Sequence, residues 1–184
     1  MTTIAELAEI DAARLLTTLA DPPIHIEPLG EQHREALRAA CAADPDIWEI
    51  YPVCLHGAHF DPAFDAILEA RSRLAFASFT GGVLVGTTGY LNVDAADRRL
   101  EIGGTYLAPH ARATGVNSRI KRLMIEHALG LGFDRIEFRI DTRNARSARA
   151  VENLNATFGR RCASRPDHVD GLSPRHRTLF VTRG

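Results

Sequence analysis

Apolar and polar positions along the chain change period several times, and those changes divide it into elements. Residues 3–20 place Ile4, Leu7, Leu15 and Leu19 at loosely helical spacing, and Asp21-Pro22-Pro23 follows as a stop, which predicts an N-terminal helix. Ile24-His25-Ile26-Glu27-Pro28 alternates as a short strand, and Glu31 to Ala43 reads as a helix with Leu37 and Ala40 inward, ended by Asp44-Pro45. From Asp46 to Phe60 (DIWEIYPVCLHGAHF) no period holds, and the aromatic and histidine content suits a loop that lines a pocket. Asp61-Pro62 then offers an N-cap and a first-turn proline for a helix to about Arg71.

The pattern turns to strands at Arg73: RLAFASFT, a Gly81-Gly82 turn, VLVGTTGYLNV, a turn at Asp94 to Asp97, and RRLEIGGTYL form a predicted antiparallel meander. A loop from Ala108 to Asn117 leads into an amphipathic helix with Ile120, Leu123, Met124, His127, Ala128 and Leu131 on one face, closed by Gly130 and Gly132. Asp134 to Ile140 is a strand, Asn144 caps a short helix to about Leu154, and Ala156 to Ala163 pairs with Arg175 to Thr182 as a last hairpin. The order predicts an α+β (mixed α/β) fold, with a mixed, mostly antiparallel central sheet flanked by helices. Residues 1–22 read as a helical extension and residues 23–184 as one domain.

Composition adds little until the chain is divided. Apolar residues at 45% and charged residues at 24% are ordinary for a globular domain and exclude a disordered or low-complexity chain. The net charge of −1 hides an asymmetry: residues 1–108 hold 7 arginines against 16 carboxylates, a net −9, whereas residues 109–184 hold 15 basic residues against 7 carboxylates, a net +8. Such a division fits an anionic ligand at one side of a cleft and a cationic one at the other; solvated helix faces would give it too. Lys121 is the single lysine among 22 basic residues, so the positive half is essentially guanidinium, which suits phosphate. Cys41, Cys54 and Cys162 are odd in number and far apart, indicating neither disulfides nor zinc. With no signal-peptide pattern and no apolar run of membrane length, a cytoplasmic protein without membrane contact is expected.

The chemistry-bearing segment is LEIGGTYLAPHARATGVNSRI, Leu100 to Ile120. A strand delivers the chain into Arg112-Ala113-Thr114-Gly115-Val116-Asn117, which opens onto a helix, so backbone N–H groups and the positive helix end converge there as an anion cradle. Neither a Walker A lysine nor Rossmann glycine spacing is present.

These residues resemble the GNAT N-acetyltransferases, in particular the RimJ/RimL type of ribosomal-protein acetyltransferase. Arg112 and Gly115 match the family loop Gln/Arg-x-x-Gly-x-Gly/Ala, with Asn117 at its third position, and EIGGTYLAPHARATGVN is similar to that branch. Arg143-Asn144-Ala145-Arg146-Ser147 and Asn155-Ala156-Thr157-Phe158 resemble two downstream phrases, and the likeness covers about residues 24–182. It implies a GNAT-like fold that binds acetyl-coenzyme A and needs no metal. Pyrophosphate would lie on the N–H groups of Arg112, Ala113, Thr114, Gly115, Val116 and Asn117, and pantetheine beside the strand ending at Leu107. Asn144 and Ser147 would reach the cofactor, or serve only as a cap and a first-turn residue. Arg112 would add its side chain or only its N–H.

An amine attacking a thioester must be neutral, and amine pKa values of about 8 to 10.4 make a base useful near neutral pH. The resemblance points to Glu101 as that base or as a water-holding carboxylate; a strand glutamate paired with Arg99 or Arg139 is the other reading. Trp48, Tyr51, His56, His59 and Tyr90 are candidates for the acceptor wall. The tyrosine acid that many GNAT enzymes carry is replaced by Val151, and Gly104 stands where an aromatic is frequent. His110 and His127 read as structural, and no histidine spacing suggests a metal. The expected function is acetyl transfer from acetyl-coenzyme A to a primary amine, on a peptide N-terminus or a small molecule, by a monomer or homodimer without nucleic-acid partners. A non-catalytic acyl-coenzyme A sensor of the same fold is the alternative.

Overall fold

The alternating segments form strands because their apolar side chains meet two different layers. The structure, a computed structural model, describes residues 13–141, 163–166 and 176–182. Its strands are β1 (Leu19–Asp21), β2 (Ile24–Pro28), β3 (Arg73–Thr80), β4 (Val83–Asp94), β5 (Arg99–Leu107), β6 (Arg135–Asp141), β7 (Ala163–Pro166) and β8 (His176–Thr182). They make one sheet in the order β1-β2-β3-β4-β5-β6-β8-β7. The helices are α1 (Arg34–Ala42), α2 (Phe60–Glu69) and α3 (Val116–Gly130). Neighbouring strands are antiparallel except β5 and β6, which are parallel and joined by the α3 crossover. The fold class is the predicted one.

One face of the sheet carries Ile26, Phe76, Tyr90, Leu100 and Ile136 against Ile120, Met124 and Ile125 of α3. The other carries Ala75, Ala77, Leu84 and Tyr106 against Leu37 and Cys41 of α1, Phe60 and Phe64 of α2, and Ile47, Trp48 and Leu55 of the intervening segment. The sheet is thus the middle of three layers, and alternation along each strand assigns side chains to one helical layer or the other. Among the described residues no helix is long and apolar enough to cross a membrane.

Three expectations change. The predicted helix over 3–20 reaches only to Leu15 in the described region, and Leu19–Asp21 instead pairs with β2, Leu19 opposite Ile26. The Leu15 and Leu19 spacing suits a helix or a strand, and the free edge of β2 decides the second; residues 1–12 lie outside the described residues. The segment 46–60, read as irregular, contains 3-10 turns at Pro45–Ile50 and Gly57–His59. The buried face of α3 runs through Val116, Ile120, Lys121, Met124, Ile125 and Ala128, so it is turned from the predicted stripe: Lys121 points inward, and His127 meets the Arg14 carbonyl at 3.0 Å. A last antiparallel pair is present as β7 and β8, but its first strand is Ala163–Pro166 rather than Ala156 to Ala163; residues 156–162 and the helix predicted from Asn144 lie outside the described residues.

Candidate active site

The sheet is split where the sequence placed its cradle. β5 and β6 share a ladder only from Arg99↔Arg135 to Glu101↔Glu137, yet β5 runs on to Leu107 and β6 to Asp141. Among the described residues the β6-side edge of Ile102 to Leu107 is therefore left without a strand partner over about 17 Å. A bulge helps to part the strands: Gly104 and Thr105 together oppose Thr88, and Gly104 has φ +57°. Glycine suits that left-handed position, and a Cβ on Gly104 would come within 2.7 Å of the Arg73 guanidinium.

The open length of β5 leads straight into the cradle. Ala113 has φ +60° and Gly115, the N-cap of α3, has φ +86°, so successive N–H groups turn toward one side. No backbone hydrogen bond is made by the N–H groups of Ala113, Thr114 or Gly115, and the first bond into α3 runs from Arg119 N–H to the Gly115 carbonyl. The first-turn N–H groups, Val116 and Asn117 among them, have no partner within the helix. Among the described residues Asn117 Oδ1 is buried without a hydrogen-bond partner, and a Cβ on Gly115 would meet no atom within 4 Å, so the space above Gly115 is open.

Arg112 is used differently from its expected role. Its Nε donates to the Leu107 carbonyl at 2.7 Å, its Nη1 pairs with Asp44, and its N–H donates to the Pro109 carbonyl at 3.2 Å. The guanidinium braces the loop from behind, 5.6 Å from the Tyr106 ring centroid, and ties it to the segment after α1. The loop N–H groups without a backbone partner among the described residues accordingly begin at Ala113. Beside them a cavity of about 290 Å³ is walled by Thr80, His110, Thr114 and Arg119.

Glu101 stands where the split begins. Its Oε2 accepts from Asn92 Nδ2 at 2.8 Å and lies 3.3 Å from Arg139 Nε, so the ion pair with Arg139 is present. Oε1 lies 3.0 Å from where a Cβ on Gly103 would sit, a position that Leu91 Cδ1 also approaches to 2.6 Å, so glycine makes room there for both side chains. Burial pushes the carboxyl above its ordinary value; Asn92 and Arg139 pull the other way, and Glu137 pushes with burial. On the opposite face Lys121 is fully buried, with Nζ donating to Thr88 Oγ1 at 3.2 Å and to Thr105 Oγ1. Burial lowers this amine to about 7, against the pull of Glu101.

The acceptor candidates separate. Tyr51 donates to the Thr105 carbonyl at 2.8 Å, and Trp48 stacks on Tyr106 at 4.8 Å, so both stand beside the bulge. His56 is half-buried at the start of the 57–59 turn and His59 is exposed at its end. Tyr90 does not join them: it is buried under α3, its hydroxyl donating to the Met124 carbonyl at 2.8 Å. A tyrosine at an alternating β4 position could face either layer, and the register assigns it to the α3 side. Asn144 and Ser147 lie outside the described residues. Lys121, Thr88, Thr105 and Asn92 were missed; the one signal available was a solitary lysine next to the apolar stripe of α3. Among the described residues no cluster of metal-ligating side chains occurs.

A mixed sheet, parted beside a helix N-terminus that offers backbone N–H groups, defines a class of protein that holds an extended ligand with an anionic end. The chain belongs to the GNAT acetyltransferase family, whose domain matches residues 24–157. Acetyl transfer from acetyl-coenzyme A is the chemistry of that family. The fold is similar to that of a GCN5-related N-acetyltransferase from Brucella melitensis, with TM-score 0.74 and 22% identity over 91% of this chain and 78% of that one. A GNAT-family protein from Chromobacterium violaceum gives TM-score 0.71 and 21% identity, covering 91% and 86%. Mycobacterium smegmatis RimJ, solved in complex with CoA-disulfide, gives 0.68 and 21%, covering 90% and 85%. No curated protein matches the chain.

Proposed function

We propose that this protein transfers acetyl from acetyl-coenzyme A to a primary amine, on a protein N-terminus or a small molecule, as a cytoplasmic enzyme of RimJ/RimL type. The observation that carries the reading is the split between β5 and β6, which runs from Glu101 to the cradle as one groove. The N–H groups of Ala113 to Asn117 suit a pyrophosphate, since they converge at a helix N-terminus where negative charge is favoured. The unpaired edge of β5 suits the pantetheine arm, whose amides complete strand hydrogen bonds, and Asn144 and Ser147 would add contacts near the start of the next helix. Acetyl-coenzyme A supplies the acetyl thioester.

Glu101 is the base in this reading, direct or through water. A carboxyl raised by burial holds a proton taken from an ammonium better than an exposed one would, and Glu101 stands where the split begins. Tyr51 forms one wall of the acceptor side with Trp48 packed behind it, and a backbone N–H near Leu107 would meet charge developing on the thioester oxygen. The test is a melting-temperature titration with acetyl-coenzyme A, followed by thiol release over N-terminal peptides, polyamines, aminoglycosides and amino acids. Stabilisation plus release with at least one amine class is expected. No stabilisation at saturating cofactor overturns the proposal, and binding without release from any amine leaves a non-catalytic acyl-coenzyme A sensor.

A further inference from the structure

The fold buries the chain's single lysine and surrounds its amine with hydroxyls. Lys121 Nζ donates to Thr88 on β4 and Thr105 on β5, and those two hydroxyls bond each other at 2.9 Å. Lys121 and Thr88 are buried, whereas Thr105 is half-buried on the length of β5 that β6 leaves unpaired. A threonine hydroxyl has one proton to donate and two lone pairs. Either threonine can donate in their mutual bond, and Thr88 Oγ1 also lies 3.8 Å from Met124 Sδ; in the arrangement with Lys121 and Thr88 both donating to Thr105 Oγ1, its lone pairs are filled and its own proton is free for the split.

We propose that Lys121 is the proton source for the departing thiolate, acting through the Thr105 hydroxyl; the proposal rests on the acetyl-transfer reading. As the N–C bond forms and the C–S bond breaks, the thiolate takes the Thr105 proton. Thr105 takes one from the Lys121 ammonium, and Lys121 is left neutral. The attacking amine's proton passes to Glu101 or to water, and exchange with solvent restores Lys121 and Glu101, so no proton is consumed over the cycle.

The surroundings suit this role. A donor to a thiolate is most effective when its own pKa is close to the working pH, and burial brings Lys121 to about 7. Glu101 on β5 opposes that shift, and Tyr90 on β4 is engaged with the Met124 carbonyl. Asp21 on β1 is taken by Arg119 and Arg122. Against α3, β2, β3 and β6 present apolar side chains such as Ile26, Phe76, Ile136 and Phe138.

A single lysine makes the test direct, because a chain labelled with 13C-lysine gives one side-chain resonance. Its titration is followed in the full chain alone, with coenzyme A, and with desulfo-coenzyme A, while melting temperature verifies that both ligands bind. Near-neutral titration is expected in the free chain, displaced by half a unit or more with coenzyme A relative to desulfo-coenzyme A. Equal midpoints with both bound overturn the proposal. In turnover, Lys121→Met is expected to lower kcat at least tenfold, to change KM for acetyl-coenzyme A less than threefold and to remove the alkaline limb of the kcat profile, with Thr105→Val following it. A merely structural lysine would lower the melting temperature and raise KM with the limb unchanged, which overturns the relay while transfer itself stands. If neither coenzyme A nor acetyl-coenzyme A stabilises the wild type, the acetyl-transfer reading fails and the relay fails with it.

Discussion

Gly115 and Arg112 stand three residues apart in the same loop and do different work. Gly115 is required by backbone geometry, since φ +86° suits glycine, and the space above its Cα is open. A valine there is expected to cost roughly 1–2 kcal/mol through its left-handed conformation and to fill the concavity where an anion would sit. Gly115→Val should therefore melt only slightly below the wild type yet bind acetyl-coenzyme A at least tenfold more weakly, as read by calorimetry; unchanged affinity would remove the cradle from the site. The glycine was legible in the sequence because a strand, a glycine turn and an amphipathic helix follow one another there. The direction of the Arg112 side chain was not, because it is set by Asp44 and the Leu107 carbonyl, and Asp44 lies 68 residues away.

At the scale of elements, β5 decides the site. Its first three residues pair with β6, its bulge at Gly104 and Thr105 turns the strand, and its last residues enter the cradle. The approach of β4 is as tight as glycine allows: a Cβ on Gly86 would lie 2.0 Å from the Tyr106 carbonyl oxygen. Gly86→Ala is expected to force β4 and β5 apart at a cost of about 3 kcal/mol, lowering the melting temperature by roughly 6–12 °C; a fall under about 2 °C would contradict the close packing. Strand positions and lengths in this region were legible from alternation, since one face meets α3 and the other meets α1 and α2. The bulge and the split were not, because Gly103-Gly104 marks a flexible spot without saying which neighbouring strand stops pairing there. The facing of α3 failed for a related reason: Leu123 and Lys121 flank the same stripe, and the hydroxyls of Thr88 and Thr105 draw the lysine inward.

Over the whole molecule, part of the charge division is met by internal ion pairs. Arg112, Arg119, Arg122, Arg135 and Arg139 all meet carboxylates, so among the described residues the cradle offers backbone N–H groups and a helix end. On the acidic side, Asp61 and Asp65 bind Arg34 across α1 and α2. The buried lysine gives the molecule a pH signature. Its amine sheds its proton at about 7 when folded and at 10.5 when unfolded, so between those values the unfolded chain binds more protons and stability rises with pH. The slope is at most about 1.4 kcal/mol per pH unit. Cys41, pushed up to about 12 by burial, opposes it above its ordinary value of 9.0, so pH 7 to 8.5 is the clean window. Denaturant unfolding should show Lys121→Met more stable than wild type at pH 7, with the difference shrinking toward pH 8.5; a constant difference would contradict a neutral buried amine.

The sequence by itself determined what depends on neighbours along the chain: the period of each strand, the glycine turn before α3, the α+β order and the family phrases from Leu100 to Asn117. Tertiary structure alone decided the split of β5 from β6, the direction of the Arg112 side chain, the burial of Lys121 against two threonines, and the burial of Tyr90 under α3. Each of those is a choice between faces or partners far apart in sequence, and side-chain pattern records that a face is buried without recording against what. The chemistry proposed for this fold lies in those choices, where buried polar groups take partners that only the folded chain supplies.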